Sequence, residues 1–543
     1  MKKSAVSAVL ILLSAVAATN AWAADMDAMV TKAPMVAAAA SPPGPPPPPT
    51  CNSVPGFFLT DCQLLWAGVR FYGTIDVGGG YQTHGSPFDP NFPTGASYFL
   101  NKPSRQAEWV QSPNGLSQSL VGVSITEPVA PGGWSFVGRG ELAFDPYSGL
   151  LANAPQAMQD AIHVPLNQQE IPVDSSRWGW LASQIYAGVS HPTFGTLTFG
   201  RQNALTTDGV NAYDPMGGSY AFSPIGFSGL TCGAGDTEEC RWTTAIKYRV
   251  NIGWFRIGVM GQPMTGTSAY NAYNPNNGAI AGDIGGDIPH LGSGVLSWDV
   301  IGSYDVNAVN IGPSGGATNA AGVPVAPFPA NTYLSAQLSN QTSVMALAKY
   351  SFGSWAPPPA MVTKAPVAPG PVGIPVTLYA GYEWIQFANP SNPVTTSFLD
   401  DGFTFNFVNA GGGAPPVTGN GTTIANNNFN AACGVGAGCT DKIFQVVWTG
   451  FKYGITRDLD LVGAYYEYFQ SQYVNGTGIC ANPTAHGQCA GTETMASGLL
   501  DWRFMPKWDA YIGTFWTQVN AGLSNGYLAR NNVATTAGVR FRF

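Results

Sequence analysis

The fold of this chain is decided by residues 178–202, WGWLASQIYAGVSHPTFGTLTFGRQ, and by the polar stretch that follows as far as residue 240. The first part predicts two strands joined by a tight turn, HPTFG at 191–195. The second part is too long for a hairpin loop. It carries the carboxylates Asp208, Asp214, Asp236, Glu238 and Glu239. A strand pair followed by a long acidic loop would supply a pore with a wall and with a segment that folds inward to narrow it.

Composition narrows the class of protein to two. Only 10% of the 543 residues are charged, against about 25% in soluble globular proteins. Aromatic residues reach 12%, and there are 67 glycines. After the N-terminus, no apolar run reaches the ~18 residues that a membrane helix needs. A secreted soluble all-β protein and a membrane β-barrel therefore remain. The net charge of -8 argues against a nucleic-acid partner.

Two segments precede the first strand. Residues 1–24 combine a basic start, an apolar core and the small-x-small cleavage site Ala21-Trp22-Ala23, which together predict a secretory signal peptide. Residues 25–66 include PPGPPPPP at 42–49 and are expected to form a Pro-rich leader, because such a run cannot pack a core and prefers an extended chain.

The eight cysteines fall into four close pairs, which indicates four local disulfides in an exported protein. The pairs are Cys51/Cys62, Cys232/Cys240, Cys433/Cys439 and Cys480/Cys489. Connectivity stays open, because eight cysteines allow 105 arrangements. No C-x2-C motif occurs and the five histidines are scattered, so we expect neither a metal site nor a cofactor.

Alternating apolar and polar residues predict sixteen strands between residues 67 and 543. They are expected at Ala67–Tyr81, Ser117–Glu127, Trp134–Asp145, Trp180–Ser190, Gly195–Gln202, Arg241–Val250, Gly253–Gln262, Val295–Val306, weakly at Ala308–Pro313, then at Thr342–Trp355, Pro375–Phe387, Ile443–Gly454, Leu459–Gln470, Met495–Phe504, Trp508–Val519 and Asn531–Phe543. Short turns follow most even-numbered strands and long loops follow the odd-numbered ones, a rhythm that is typical of a membrane barrel and not of a sandwich.

The two faces of the strands support the barrel without excluding a soluble core. In the strand from residue 241, Trp242, Ile246 and Tyr248 oppose Arg241 and Lys247. A basic residue on the lipid face would cost about 2–4 kcal/mol at mid-bilayer. The last strand ends in an aromatic residue, Phe543, and so resembles the way in which outer-membrane barrels commonly end. We therefore predict an all-β, transmembrane antiparallel β-barrel of about 16 strands with an inward-folded third loop.

Several motifs resemble the Gram-negative general porins, a family of sixteen-stranded trimeric outer-membrane proteins. They are FYGTIDVG at 71–78, IYAGV at 185–189, FGTLTFGRQ at 194–202, the strand at 241–248, LYAGYE at 378–383 and RDLDL at 457–461. The resemblance implies a homotrimeric, water-filled channel in the cell outer membrane of a Gram-negative bacterium. Small hydrophilic solutes and ions would cross it by passive diffusion.

The resemblance also implies that residues 203–240 are the constriction loop, with its acids at Asp208, Asp214, Asp236, Glu238 and Glu239. The family opposes this loop with wall arginines. The best matches here are Arg139 and Arg241, with Glu141, Lys247 and Arg249 on the lumen face. In an alternative interpretation, Asp208 and Asp214 cap turns and residues 236–239 lie at the exposed base of the loop.

The expected partners follow from the same resemblance. They are outer-membrane lipid and lipopolysaccharide, a homotrimer, and the barrel assembly machinery, which would read Phe543 as an assembly signal. A heptapeptide of the leader, AMVTKAP at 28–34, recurs at 360–366 within a Pro-rich turn, 356–372. Both copies are expected on the periplasmic side, either as contacts to the cell envelope or as flexible linkers without a partner.

The alternatives to a general diffusion channel are an enzyme, a substrate-selective channel and a structural or adhesive barrel. All five histidines fall in predicted turns or loops, and neither G-x-S-x-G nor H-E-x-x-H occurs, so we do not expect an enzyme. A substrate-selective channel and a structural or adhesive outer-membrane barrel remain as alternatives.

Overall fold

The computed structural model describes residues 49–84, 107–147, 149, 183–225, 241–263, 278–305, 310–314, 334–337, 340–354, 373–388, 418–419, 422–423, 441–473, 478–485, 489–524 and 529–543. Within these ranges, sixteen strands form an antiparallel ring. They are β1 (Val69–Gln82), β2 (Leu120–Ala130), β3 (Trp134–Ala143), β4 (Ile185–His191), β5 (Gly195–Asn203), β6 (Arg241–Ile252), β7 (Phe255–Gln262), β8 (Ala279–Leu291), β9 (Gly294–Asp305), β10 (Asn340–Ser354), β11 (Gly373–Ala388), β12 (Lys442–Gly454), β13 (Leu459–Gln470), β14 (Gly491–Met505), β15 (Trp508–Ala521) and β16 (Asn531–Arg542).

Each strand pairs with the next along the chain, and the first pairs with the last. The closing pair, β1 and β16, runs from Thr74↔Arg542 to Gln82↔Ala534. Closure satisfies the backbone hydrogen bonds of the strands from within the sheet, as a membrane-spanning structure requires. The predicted closed β-barrel is thus confirmed.

Along the strands, apolar residues that face outward alternate with residues that face the lumen. On β10, for example, Val344 is exposed on the outer surface while Met345 is fully buried inside. Short turns follow β2, β4, β6, β8, β12 and β14, and define what we call the short-turn end of the barrel. Exposed aromatic side chains gather there, including Trp134, Phe194 and Trp254, as at a membrane–water interface. Among the described residues, no helix is both long and apolar enough to cross a membrane.

The strand count of sixteen is right, but one strand of the barrel was missed and one predicted strand is not part of the barrel. Strand β8, AIAGDIGGDIPHL, was missed because three glycines, two aspartates and a proline are typical of a loop. The weak strand expected at Ala308–Pro313 is wrong as a barrel strand, because Asn310–Ser314 pairs with Leu334–Gln337 in a separate two-stranded sheet. With β8 in place, the turn before β9 is short and fits the alternation of turns and loops.

Smaller elements decorate the ring. Helix α1 (Val54–Leu59) precedes a short strand, Leu64–Trp66, that pairs with β1. Another short strand, Glu108–Gln111, pairs with the other end of β1. The remaining elements are the paired Thr418–Gly419 and Thr422–Thr423, and the 3-10 turns Ile479–Ala481, Pro483–Ala485 and Gly522–Ser524. Helix α2 (Leu205–Tyr213) lies inside the ring and is described next.

Candidate channel constriction

The loop after β5 enters the lumen as helix α2 and packs against the inner surface of the wall. Contacts of α2 run along β7 to β11. Apolar side chains of the loop and of the wall form one buried cluster, which includes Leu205, Val210, Tyr213, Met216, Phe222 and Ile225 from the loop and Met260, Ile301, Met345, Trp448 and Phe515 from the wall. A cluster of this kind holds the loop as a packed part of the structure.

A glycine in the middle of α2 allows this close approach. A Cβ atom at Gly209 would lie 2.5 Å from Ile301 Cδ1 and 2.8 Å from Leu347 Cδ1. Glycine weakens a helix interior by about 1 kcal/mol relative to alanine, so the position is explained by contact with the wall. On the other side of α2, Asp208, Asn211 and Ala212 remain partly exposed. The helix is therefore two-sided, with one side packed against the wall and the other partly accessible.

Asp208 anchors α2 to strand β6. Its carboxylate forms ion pairs with the Lys247 ammonium and, at 3.0 Å, with the Arg249 guanidinium. The Asn203 amide also donates to it, at 3.3 Å. Burial would raise the pKa of Asp208, but Lys247 and Arg249 outweigh burial and hold this pKa below its usual value. Asp208, Lys247 and Arg249 were all predicted as site residues, and they meet here in ion pairs between α2 and β6.

Arg256 makes a second anchor, which the sequence reasoning missed. Its guanidinium lies 2.5 Å from Asp287 and 3.0 Å from Asp299, and it donates to the Tyr213 hydroxyl at 3.0 Å. Lys349 donates to the Ala212 carbonyl at 3.1 Å. These contacts come from β7 to β10 and converge on the last turn of α2. A favourable contact between cations and a helix C-terminus is expected from the helix dipole.

Asp214 ties the end of α2 to the far side of the barrel. Its carboxylate accepts hydrogen bonds from the backbone N–H groups of Met216 (3.2 Å) and Gly218 (2.7 Å), and from the Tyr466 hydroxyl (2.6 Å). Burial raises the pKa of Asp214, against the effect of these donors. Trp448 Nε1 donates to the Tyr213 carbonyl at 3.2 Å. Asp214 is buried and caps a turn, as the alternative interpretation proposed, while it also fixes the loop to β13.

A second inward segment, residues 112–119, supports the loop from the side of β1. Asp76 accepts from the N–H groups of Leu116 (2.7 Å) and Ser117 (2.9 Å) and from the Tyr511 hydroxyl (2.7 Å). The Gly115 carbonyl accepts from Ala221 N at 3.0 Å. Nothing in the alternation pattern indicated this segment, because its contacts join residues that are far apart in the sequence.

The two wall arginines that were predicted to face the loop differ in position. Arg241 is buried and donates to the Gln118 side chain at 3.3 Å. A shift in pairing between Gly200 and Gln202 changes the register here, so Trp242, expected on the lipid face, is fully buried instead. Arg139 keeps 26% of its side chain exposed and lies 2.8 Å from Glu141 and 2.7 Å from the Tyr72 hydroxyl.

Four further cations lie on the lumen face at the short-turn end, and we call them the mouth cluster: Lys452, Arg503, Arg540 and Arg542. Lys452 and Arg503 share Asp460, at 2.9 and 2.6 Å. Arg540 and Arg542 share Asp509, at 2.8 and 2.9 Å. The carboxylates are buried below their partners, with 7% and 1% of the side chain exposed, whereas Lys452, Arg503 and Arg542 expose 42%, 32% and 35%.

Of the four expected disulfides, Cys51–Cys62 and Cys480–Cys489 lie within the described residues and are present. Asp236, Glu238 and Glu239 lie outside the described residues, as do Cys232, Cys240, Cys433 and Cys439. Within the described part of the chain, no group of three or more His, Cys, Asp or Glu residues could hold a metal ion. Phe543 lies at the short-turn end, where its backbone pairs with Gly73.

A closed sixteen-stranded barrel with a loop folded into its lumen defines an outer-membrane channel. Residues 27–473 match the family model of the Gram-negative porin, and the chain belongs to that family. It is a channel of the outer membrane through which solutes pass by passive diffusion, and not an enzyme. In such a barrel the short turns face the periplasm.

Solved structures show similarity at low identity. The anion-selective porin from Comamonas acidovorans is 13% identical, with a TM-score of 0.47 over 88% of this chain and 99% of that one. The trimer form of OmpT of Vibrio cholerae is 11% identical, with a TM-score of 0.46 over 88% and 99%. OprB of Pseudomonas putida is 11% identical, with a TM-score of 0.43 over 87% and 94%. No curated protein matches the sequence significantly.

Proposed function

We propose that residues 203–240 form the constriction of this porin and that small hydrophilic solutes pass beside the polar side of α2. The observation that carries this proposal is the two-sided character of α2, which buries Leu205, Val210 and Tyr213 against the wall and leaves Asp208 and Asn211 partly exposed. Arg139 would line the wall of the same passage, and the buried Glu141, predicted to line it as well, would hold Arg139 in position. The rest of the loop, with Asp236, Glu238 and Glu239, would complete it.

A substitution at Asn211 tests this constriction. Asn211→Trp would add a large side chain to the polar side of α2, and we expect the single-channel conductance in planar bilayers to fall by half or more. The matched control is Ala346→Trp, on the lipid face of β10, which should leave conductance unchanged. Equal conductance of the wild-type protein and Asn211→Trp would contradict the proposed passage.

A preference for anionic solutes is the second candidate, and it corresponds to the substrate-selective alternative. The mouth cluster favours it, because a solute there meets exposed ammonium and guanidinium groups while their carboxylate partners are buried. Saturable block of the current by inorganic phosphate would reveal such a preference. Complete absence of conductance would favour a structural or adhesive barrel instead.

The organisation of the whole chain is part of the same proposal. Residues 1–24 would be a signal peptide, residues 25–66 a periplasmic leader and residues 67–543 the barrel, with a periplasmic Pro-rich turn at 356–372.

Family membership supports a homotrimer, which unboiled gel electrophoresis and conductance steps in threes would test. Lipid and lipopolysaccharide would surround it, and the barrel assembly machinery would read the strand that ends at Phe543. The repeated heptapeptide would contact the envelope, unless its deletion leaves envelope attachment unchanged.

A further inference from the structure

Residues 49–66, which we call the clasp, form a folded unit at the short-turn end of the barrel. The Cys51–Cys62 disulfide closes it, and Ser53 Oγ caps α1 by accepting from Gly56 N at 3.1 Å. Its last residues pair with β1, from Leu64↔Phe71 to Trp66↔Val69. A helix of six residues is not stable alone, so the position of α1 depends on the disulfide and on what it contacts.

Helix α1 contacts the end of the last strand. The Phe57 ring lies 5.2 Å from the Phe543 ring and 5.6 Å from the Phe541 ring, both edge-on. The Phe58 ring lies 5.4 Å from Phe541. Aromatic pairs in this arrangement stabilise each other beyond simple burial. The two phenylalanines of the helix thus cover the aromatic end of β16.

Polar contacts fix the same position from the turn between β14 and β15. The Lys507 ammonium donates to the Phe57 carbonyl at 2.9 Å and lies 4.8 Å from the Phe57 ring. Trp508 Nε1 donates to the Phe58 carbonyl at 2.9 Å. Both carbonyls lie near the C-terminal end of a short helix, where donors from outside are needed. The clasp is therefore docked by specific partners as well as by apolar contact.

The clasp docks at the point where the barrel closes. It is continuous with β1, and its target is the end of β16, whose Phe543 exchanges two backbone hydrogen bonds of 3.0 Å with Gly73 of β1. Before β1 meets β16, we expect α1 not to cover this aromatic end, although Trp508 of β15 would already contact the Phe541 ring, as it does here at 4.5 Å. In the proposed function, that end is the surface which the assembly machinery reads.

We propose that the clasp displaces the barrel assembly machinery from the C-terminal strand as the barrel closes. One surface, the aromatic end of β16, then has two successive occupants: the machinery while the strand is unpaired, and α1 once β1 has arrived. The proposal rests on the proposed role of Phe543 as an assembly signal.

Release from the machinery in cells is the test. After a pulse of synthesis, the full-length chain bound to the machinery is captured over time for the wild-type protein, Phe57→Ala, the Cys51→Ser/Cys62→Ser double variant and Val54→Ala. Val54 is the matched control, because it lies on α1 with 71% of its side chain exposed. We expect Phe57→Ala and the double variant to stay bound several-fold longer, and Val54→Ala to be released like the wild-type protein.

Two further measurements separate the possible failures. If Phe57→Ala and the double variant are released at the wild-type rate, the displacement proposal is wrong, even if their barrels melt at a lower temperature. If Phe543→Ala binds the machinery as well as the wild-type chain does, the assembly-signal role itself is wrong. Wild-type conductance of the released Phe57→Ala barrels would show that the channel function stands apart from either result.

Discussion

Two groups of cations on the inner wall differ in what they contact. Lys247, Arg249 and Arg256, on β6 and β7, hold the loop, because their partners include Asp208 and the Tyr213 hydroxyl of α2. Arg503 and Arg542, in the mouth cluster, bind carboxylates of the wall itself and remain about one-third exposed. Equal charges on the same face thus have different partners. We expect the first group to determine the shape of the proposed passage and the second to determine the potential that a solute meets at the mouth.

Removal of the loop carboxylate should have the largest effect. Asp208→Asn removes the ion-pair partner of the buried Lys247 ammonium and leaves Arg249 with Asp283 at 3.7 Å. Loss of one partner of a buried pair costs about 3–5 kcal/mol. We expect the loop to detach from β6, which would give noisy and larger single-channel currents. The control is Asp287→Asn, because Asp287 is exposed and Arg256 retains Asp299. Quiet wild-type currents in Asp208→Asn would mean that apolar packing alone holds the loop.

Acid should reproduce that effect in the wild-type protein. The pKa of Asp208 is lowered in the folded protein, so its ion pairs stabilise the docked loop fully above the ordinary pKa of an aspartate. This stabilisation is lost as the pH falls below about 4, through the lowered pKa. Current noise measured against pH should stay constant from neutral pH to about 4 and rise below it. A rise that begins near neutral pH would contradict the assignment to Asp208.

An intermediate effect is expected from the far side of the loop. Tyr466→Phe removes the hydroxyl that donates to the buried Asp214, which costs about 1–3 kcal/mol, while the two backbone donors to Asp214 remain. Proteolysis of the folded barrel should therefore cut the loop faster than in the wild-type protein and more slowly than in Asp208→Asn. Tyr465→Phe is the control, since its side chain is exposed on the outer face.

The smallest energetic change concerns the mouth cluster. Arg503→Gln with Arg542→Gln should leave the loop in place and shift ion preference toward cations by about twofold per charge, because a unit charge about 8 Å away in water contributes ~0.5 kcal/mol. Reversal potentials across a salt gradient measure the shift. Arg249→Gln is the comparison, with a smaller shift in preference and more current noise. An identical shift in both variants would remove the distinction between the two groups of cations.

The sequence predicted those parts of the fold that local alternation encodes. Strand β13, with inward Tyr466 and outward Tyr465, has the predicted bounds because its period of two is unbroken. Strand β8 was missed for a reason that the structure makes clear. A Cβ atom at Gly285 would lie 1.4 Å from an Asp299 carboxylate oxygen, so glycine is needed beside the Arg256–Asp299 pair. A glycine that is required by a contact with another strand interrupts the local alternation from which a strand is predicted.

The site was less predictable than the fold because its contacts are distant in sequence. Asp208 and Lys247 were both singled out, but their direct contact across 39 residues was not. Arg256 meets Tyr213 across 43 residues, and Tyr466 meets Asp214 across 252. The clasp joins Phe57 to Lys507 across 450 residues. Closure of the ring brings such pairs together, and no local sequence pattern predicts them.

Helix α2 packs inside the ring of strands, and we expect its polar side to border the passage. Asn211→Cys, treated with a charged, membrane-impermeant thiol reagent during single-channel recording, tests this most directly. We expect a stepwise fall in current for Asn211→Cys and no change for the wild-type protein or for Ala346→Cys on the lipid face. Complete labelling of Asn211→Cys with an unchanged current would contradict the account, because the passage would then run elsewhere in the barrel.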